Sequence, residues 1–205
     1  MELNEQLKKT LLRVAKFYDQ RKVGDVGPLG FRKSTDMMTM LACLERLLDE
    51  KIIISDETMF LDLGCADGRV NVFLSYLVRM SVGIELDEWT FDEYGPLKLQ
   101  LEEGLKQEGL LLPPKNTFIF HGDATDERIH QAMKRETGVR FENFDLFYTY
   151  LVMHEEFAEL IQKKAKRGSI FMVYGLDRIM PTYKGFRLLK HISPMEGILA
   201  IYRKD

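Results

Sequence analysis

The sequence predicts an α/β protein: an open, doubly wound sheet, preceded by a helical extension and closed by an antiparallel hairpin. Three observations carry that expectation. Short apolar runs of strand length alternate with helix-period segments through the middle of the chain, as parallel β-α-β units require. Residues 58–70, TMFLDLGCADGRV, read as an apolar strand, a turn of small residues and the start of an apolar helix. The chain then closes with two strand-like runs, 186–192 and 197–202, joined by Ser193, Pro194, Met195 and Glu196.

Each element follows from local pattern. Leu3, Leu7, Leu11, Val14 and Tyr18 recur at helical spacing and form one face of an amphipathic helix. The next stretch, RKVGDVGPLGF, places Gly24, Gly27, Pro28 and Gly30 close together and reads as a loop. A second helix opens with Ser34 or Thr35 as N-cap and Asp36 in its first turn. It turns Met37, Met40, Leu41, Leu44, Leu47 and Leu48 inward. Residues 1–50 are thus a helical extension, which either lies across the C-terminal edge of the sheet as a lid, with 31–35 in it, or covers a sheet face. Residues 51–205 form the main domain.

After the opening motif the elements alternate. A helix over 69–79 leads to a strand over 81–86 that ends in Glu85 and Asp87. A helical region over 88–109 is expected to break or kink at Gly95 and Pro96, because proline lacks the backbone donor and crowds the preceding turn. A strand over 117–121 closes in GDATD, 122–126, and a helix follows over 127–136. In the strand FDLFYTYLV, 144–152, alternation puts Tyr148 and Tyr150 on one side and Phe147, Thr149 and Leu151 on the other. A helix over 155–165 runs into Lys163, Lys164, Lys166 and Arg167, cations that complement a helix C-terminus, and the strand 169–174 comes next.

Composition bounds the function. A chain of 205 residues, 45% hydrophobic and 30% charged, is long enough for one well-cored domain. Lys and Arg total 29 against 32 Asp and Glu, and a net charge of -3 argues against a broad polyanion surface, so no nucleic-acid partner is expected. Two cysteines, Cys43 and Cys65, make no disulfide framework, which suits a reducing compartment. No metal cluster stands out. The N-terminus lacks an apolar signal core, and no apolar run approaches the ~18 residues of a membrane span, so a cytoplasmic protein without a membrane partner is expected. Oligomeric state is not written in the sequence.

The glycine turn selects the ligand. A dinucleotide fingerprint needs glycine at its first, third and sixth positions, where this chain has Gly64, Ala66 and Arg69, so the pyrophosphate pattern is broken. What stands is acid-x-Gly-x-Ala-x-Gly: Asp62, Gly64, Ala66 and Gly68. A carboxylate at a strand end suits a ligand that carries cations better than one that carries a diphosphate. Glu85, about twenty residues beyond the turn, is placed to accept ribose hydroxyls.

This pattern resembles the first motif of the seven-stranded, class I methyltransferases. The resemblance implies a Rossmann-like sheet of seven strands and S-adenosyl-L-methionine as cofactor, held by Asp62, Gly64, Ala66, Gly68 and Glu85. GDATD resembles the adenine-binding segment of the same enzymes, which implies that Asp123 accepts from the exocyclic amine and Ala124 packs on the ring. DGR at 67–69, GIELDEW at 83–89 and TYLVMHEEF at 149–157 are similar to the archaeal and mitochondrial protein-lysine methyltransferases of this fold, and more distantly to the non-SET histone-lysine enzymes. GLDRIMPTY, 175–183, departs from their pattern. No Asn-Pro-Pro-Tyr motif closes the fourth strand, no cysteine follows it, and Asp145 lies at its start, which disfavours in turn adenine-N6 or glutamine methylation, pyrimidine-C methylation and metal-dependent O-methylation.

The implied reaction is methyl transfer, to a protein lysine or to a small-molecule acceptor; a third reading is an S-adenosyl-binding module without catalysis. A lysine amine has a reference pKa of about 10.4 and needs an apolar, aromatic channel to shed its proton. Tyr150 is the first candidate to line that channel, with Phe31 and Tyr174 as further walls. His154 is the candidate general base, and its position before Glu155 and Glu156 equally suits a helix-capping or surface residue.

Overall fold

The structure, a computed structural model, describes residues 3–21, 23–27, 30–32, 34–175 and 180–205, with only the backbone of 24–27 and 30–32. The first helix, α1 (Glu5–Asp19), forms as its periodicity requires. Asn4 caps it by accepting the Leu7 N–H at 2.8 Å, and Leu11, Val14, Ala15 and Tyr18 are buried. The glycine-rich stretch that reads as a loop is instead an antiparallel ribbon, β1 (Val23–Gly27) and β2 (Gly30–Arg32). Val23 pairs with Arg32 and Gly27 with Gly30, and residues 28 and 29 between the two strands lie outside the described residues.

Helix α2 (Met37–Asp49) is capped by Asp36, not by Ser34 or Thr35. The Asp36 carboxylate accepts the Thr39 N–H at 2.6 Å, and the Asp19 carboxylate takes the Met37 and Met38 N–H groups at 2.8 and 2.9 Å. Two acids from different helices thus satisfy the unpaired donors of one helix start. Ser34 and Thr35 are left free for the site.

The main sheet comprises β3 (Met59–Leu63), β4 (Met80–Glu85), β5 (Thr117–His121), β6 (Leu146–Tyr150), β7 (Ile170–Tyr174), β8 (Phe186–Leu188) and β9 (Leu199–Lys204). Its order is β5-β4-β3-β6-β7-β9-β8. The first five strands run parallel, and β9 inserts antiparallel between β7 and β8, which is the expected closing hairpin. Four further helices, α3 (Arg69–Ser75), α4 (Glu88–Gln107), α5 (Glu127–Thr137) and α6 (His154–Lys164), make the crossovers. Helix α4 runs unbroken through Pro96. The carbonyl that Pro96 cannot satisfy belongs to Asp92, and both residues are exposed, so the lost bond costs less than it would in a buried helix.

Strand alternation sorts two cores. Phe60, Leu146, Tyr148, Ile170, Met172, Tyr174, Leu199 and Ile201 face α1, α2, α3 and the inner side of α4. Leu61, Leu63, Val82, Ile84, Phe147, Phe171, Val173, Ala200 and Tyr202 face α5 and α6. The N-terminal helices therefore cover a sheet face, while the segment just before α2 reaches the C-terminal edge of the strands. No helix among the described residues is long and apolar enough to cross a membrane.

Candidate functional site

The turn between β3 and α3 is shaped by backbone. Gly64 and Cys65 donate their N–H groups to the Ile84 carbonyl at 2.9 and 3.0 Å, which folds the turn onto the end of β4. Gly83 permits that contact, because a Cβ there would lie 2.7 Å from the Cys65 sulfur and from Asn71 Oδ1. Ala66 takes the left-handed conformation at φ 50°, a shape glycine adopts without strain. Gly68, also left-handed, begins α3 with its α-carbon against the Tyr94 ring, which a Cβ would approach to 2.6 Å.

A cavity of about 990 Å³ opens at the C-terminal ends of β3, β4 and β6 and reaches the turn after β5. Asp62, Gly64, Ala66, Glu85, Asp123, Ala124 and Tyr150 all lie on its wall. Gly68, Tyr174 and His154 are not among the described residues that line it; Gly68 serves the packing of α3 on α4. The Phe31 side chain and residues 176–179, within the segment that departs from the lysine-methyltransferase pattern, lie outside the described residues.

Each wall residue is held for a physical reason. Asp62 is 1% exposed, and its Oδ1 atom has no hydrogen-bond partner. Burial, and then the nearby Glu85 and Asp67 carboxylates, push its pKa well above the ordinary carboxylate range. Glu85 is pinned: the Ala66 N–H donates to one carboxylate oxygen at 2.8 Å and the Asp87 N–H to the other at 2.9 Å. The two bonds fix the orientation of the carboxylate on the cavity wall. Asp123 Oδ1 accepts from the Thr125 N–H and hydroxyl at 2.8 and 2.7 Å, which fixes a turn, while the cap of α5 is Asp126.

Behind Ala124 lies a buried histidine. His130 donates from Nε2 to the Ala124 carbonyl at 2.9 Å, and Lys164 donates to its Nδ1 at 3.0 Å while also pairing with Glu127. That arrangement requires the neutral ring, and burial, joined by Lys164, lowers the His130 pKa. Tyr150, at the end of β6, has its ring centroid 5.7 Å from that of Tyr174, and burial raises its pKa. The Tyr174 hydroxyl is bound by the Asp36 backbone and the Thr39 side chain at the start of α2. His154 is the first residue of α6, and its Nδ1 shares a 2.7 Å hydrogen bond with the Tyr183 hydroxyl, which commits that nitrogen to a contact outside the cavity wall.

Sequence reasoning missed a clamp. Arg69 bonds Asp67 in bidentate fashion at 3.0 and 3.0 Å, with both side chains buried. It also donates to Ser34 Oγ at 3.0 Å and to the Thr35 carbonyl at 3.2 Å, and its guanidinium stands 5.7 Å from the Tyr18 ring centroid. Arg21 adds a second cation to Asp67 at 3.3 Å. The Thr35 and Tyr148 hydroxyls share a 2.5 Å hydrogen bond, and Thr149 Oγ1 lies 2.9 Å from the Leu63 carbonyl. The DGR triplet was the available signal: it fastens the N-terminal extension to the glycine turn.

Electrostatically the cavity is acidic. Asp62, Glu85, Asp87, Glu88 and Asp123 line it, and the sole lining cation among the described residues, Arg69, is already neutralised by Asp67. Its rim is apolar: Leu86 and Val152 are 61% and 63% exposed, and Trp89, next to the lining residue Glu88, is 84% exposed.

No family model and no curated protein matches this sequence. Solved structures do. An RNA methyltransferase from Salinibacter ruber in complex with S-adenosyl-L-homocysteine superposes with a TM-score of 0.50 at 16% identity, over 84% of this chain and 92% of that one. A putative methyltransferase from Escherichia coli gives 0.52 at 16%, over 87% and 90%. A tRNA methyltransferase from Aquifex aeolicus gives 0.53 at 15%, over 97% and 76%. The fold is that of the class I methyltransferases. In this class I sheet the cavity occupies the carboxyl ends of the parallel strands, where the strand order reverses between β3 and β6 and open α/β sheets take their ligands.

Proposed function

We propose that the protein is an S-adenosyl-L-methionine-dependent methyltransferase acting on an amine, with a protein lysine side chain as the acceptor. The observation that carries the reading is the unpartnered, fully buried Asp62 oxygen on the wall of an acid-rich cavity. A buried carboxylate without a partner is costly, and a cationic ligand group removes the cost. The residues fit the cofactor by this test: Asp62 for its cationic methionine end, Glu85 for the ribose hydroxyls, Asp123 and Ala124 for the adenine, and Gly64 and Ala66 for close backbone approach.

The cofactor, when bound, supplies a methyl group on a sulfonium, an electrophile that needs an aligned nucleophile and little water. The chain's own residues supply the rest. Tyr150, Leu151, Val152, Met153 and Phe157 give the acceptor end apolar walls, which favour the neutral form of an entering amine. With His154 bound to Tyr183, deprotonation is assigned to this desolvation rather than to a side-chain base. The acidic lining, Glu85, Asp87, Glu88 and Asp123 beside the buried Asp62, repels phosphate and attracts a cationic acceptor, which supports lysine over an RNA base. A small-molecule amine is the second reading, supported by Ser34 and Thr35, which close one side of the cavity.

Calorimetric titration with S-adenosylmethionine and S-adenosylhomocysteine, with NAD as control, tests the cofactor. Selective S-adenosyl binding is expected, weakened about 100-fold in Glu85→Ala, since charged hydrogen bonds contribute about 1.5–3 kcal/mol each. Equal or tighter NAD binding sinks the proposal. Transfer of labelled methyl from the cofactor to lysine peptides, small amines and RNA then ranks the acceptors.

A further inference from the structure

The opposite, N-terminal edge of the sheet holds a second cleft, of about 370 Å³. It lies between the turn after α2, the starts of β3 and β6, the α6–β7 turn and the end of β9. Its charged wall consists of Lys51, Lys166, Arg167 and Arg203 against Glu57 and Asp145. Asp145 is already used: it accepts the Met59 N–H at 2.8 Å and pairs with Lys166 at 2.5 Å. Among the described residues, no ion pair engages Lys51, Arg167 or Arg203, so three cations face one remaining acid, Glu57.

Two further features concentrate this charge. Arg203 on β9 stands directly opposite Arg187 on β8, so two guanidinium groups leave the same face of an antiparallel pair, an arrangement that costs stability unless an anion lies between them. Lys51 holds a left-handed backbone conformation at φ 52°, a position where glycine is the unstrained choice. Of the basic cluster at the end of α6, Lys163 is exposed and does not line the cleft, Lys164 turns to Glu127 and Lys166 pairs with Asp145, while Arg167 lines the cleft.

We propose that this cleft is an anion site that binds a phosphate group, held by Arg167 and Arg203 with Lys51 and, from the neighbouring strand, Arg187. Guanidinium forks match the oxygens of phosphate, and the cleft is large enough to admit the group together with part of the molecule that carries it. The site is independent of the methyl-transfer cavity and of its reading.

Calorimetric titration of the full chain with inorganic phosphate at constant ionic strength, with chloride as control, tests it. Saturable binding and a raised melting temperature are expected. Arg203→Gln and Arg167→Gln should each weaken binding at least tenfold, while Lys16→Gln, on the exposed side of α1, leaves it unchanged. Melting in buffer alone confirms that each variant folds. A 5′-phosphorylated dinucleotide in a second arm separates the sources: tighter binding than phosphate places a nucleotide in the cleft, and weaker binding places free phosphate there. No saturable binding to the native chain, or binding indifferent to both arginine substitutions, overturns the proposal.

Discussion

The two edges of one sheet carry opposite charge. At the carboxyl ends of the parallel strands the cavity is lined by five carboxylates and one neutralised arginine, while at the amino ends a smaller cleft is lined by four cations and two acids. Part of this division follows from topology. Parallel β-α-β connections point every crossover helix N-terminus toward the first edge and every C-terminus toward the second, so caps such as Asp87 and Asp126 collect at one and Lys166 and Arg167 at the other. Asp62 and Arg203 are different. They lie in strands, complement no helix terminus, and are the residues on which the two proposed sites rest.

The largest test of the comparison removes the cation from the acidic edge. Arg69→Met should destabilise the fold by about 3–5 kcal/mol, because it leaves the buried Asp67 carboxylate with Arg21 as its one cation, at 3.3 Å, beside the backbone N–H of residue 69, and releases Ser34 and Thr35. Urea unfolding measures it. A loss below about 1 kcal/mol would show that the clamp is dispensable and that the N-terminal segment is held by packing of α1 and α2 alone.

Next in size is Asp62→Asn, which should act in opposite directions on stability and binding. Asparagine removes an unpaired buried charge, so the free protein gains about 1 kcal/mol, while cofactor affinity falls. The sign with pH is fixed. The folded pKa of Asp62 is raised, so the group favours the folded state below its unfolded value of about 3.9, and that contribution is lost as pH rises through the window up to the folded value. Asp62→Asn should flatten the profile there. A variant that is less stable at neutral pH, with unchanged affinity, would remove Asp62 from the site.

The acidic edge was more legible in sequence than its supports. Asp62, Gly64, Ala66, Glu85, Asp123 and Ala124 stand at strand ends fixed by the β-α alternation, and the structure gathers all six on one wall. What escaped depends on partners far along the chain. Arg69 reaches 34 residues back to Thr35, His154 meets Tyr183 29 residues on, and Asp36 prevails over its neighbours as a cap because Asp19 from another helix completes the job. The ribbon of β1 and β2 was hidden by composition, because Gly24, Gly27 and Gly30 lie within the paired strands themselves and outweighed the strand formers beside them. The Ala66 backbone is a milder case: only the fold shows that alanine holds the left-handed angle there.

On the basic edge the sharpest substitution is also the gentlest. Arg187→Glu converts a like-charge cross-strand pair with Arg203 into an ion pair, and such pairs shift stability by about 0.2–1 kcal/mol. In phosphate-free buffer the variant should therefore melt slightly above the native protein. In saturating phosphate the order should reverse, because bound phosphate adds to the native chain a stabilisation that grows with its concentration, while the variant's glutamate repels the anion and forgoes it. Salt separates the two effects, since an exposed pair weakens as ionic strength rises while a saturable site needs only its ligand. A variant that is more stable under both conditions would mean that the arginine pair at this edge is a cost with nothing to offset it, and the two edges of the sheet would differ in charge but not in both being built to bind.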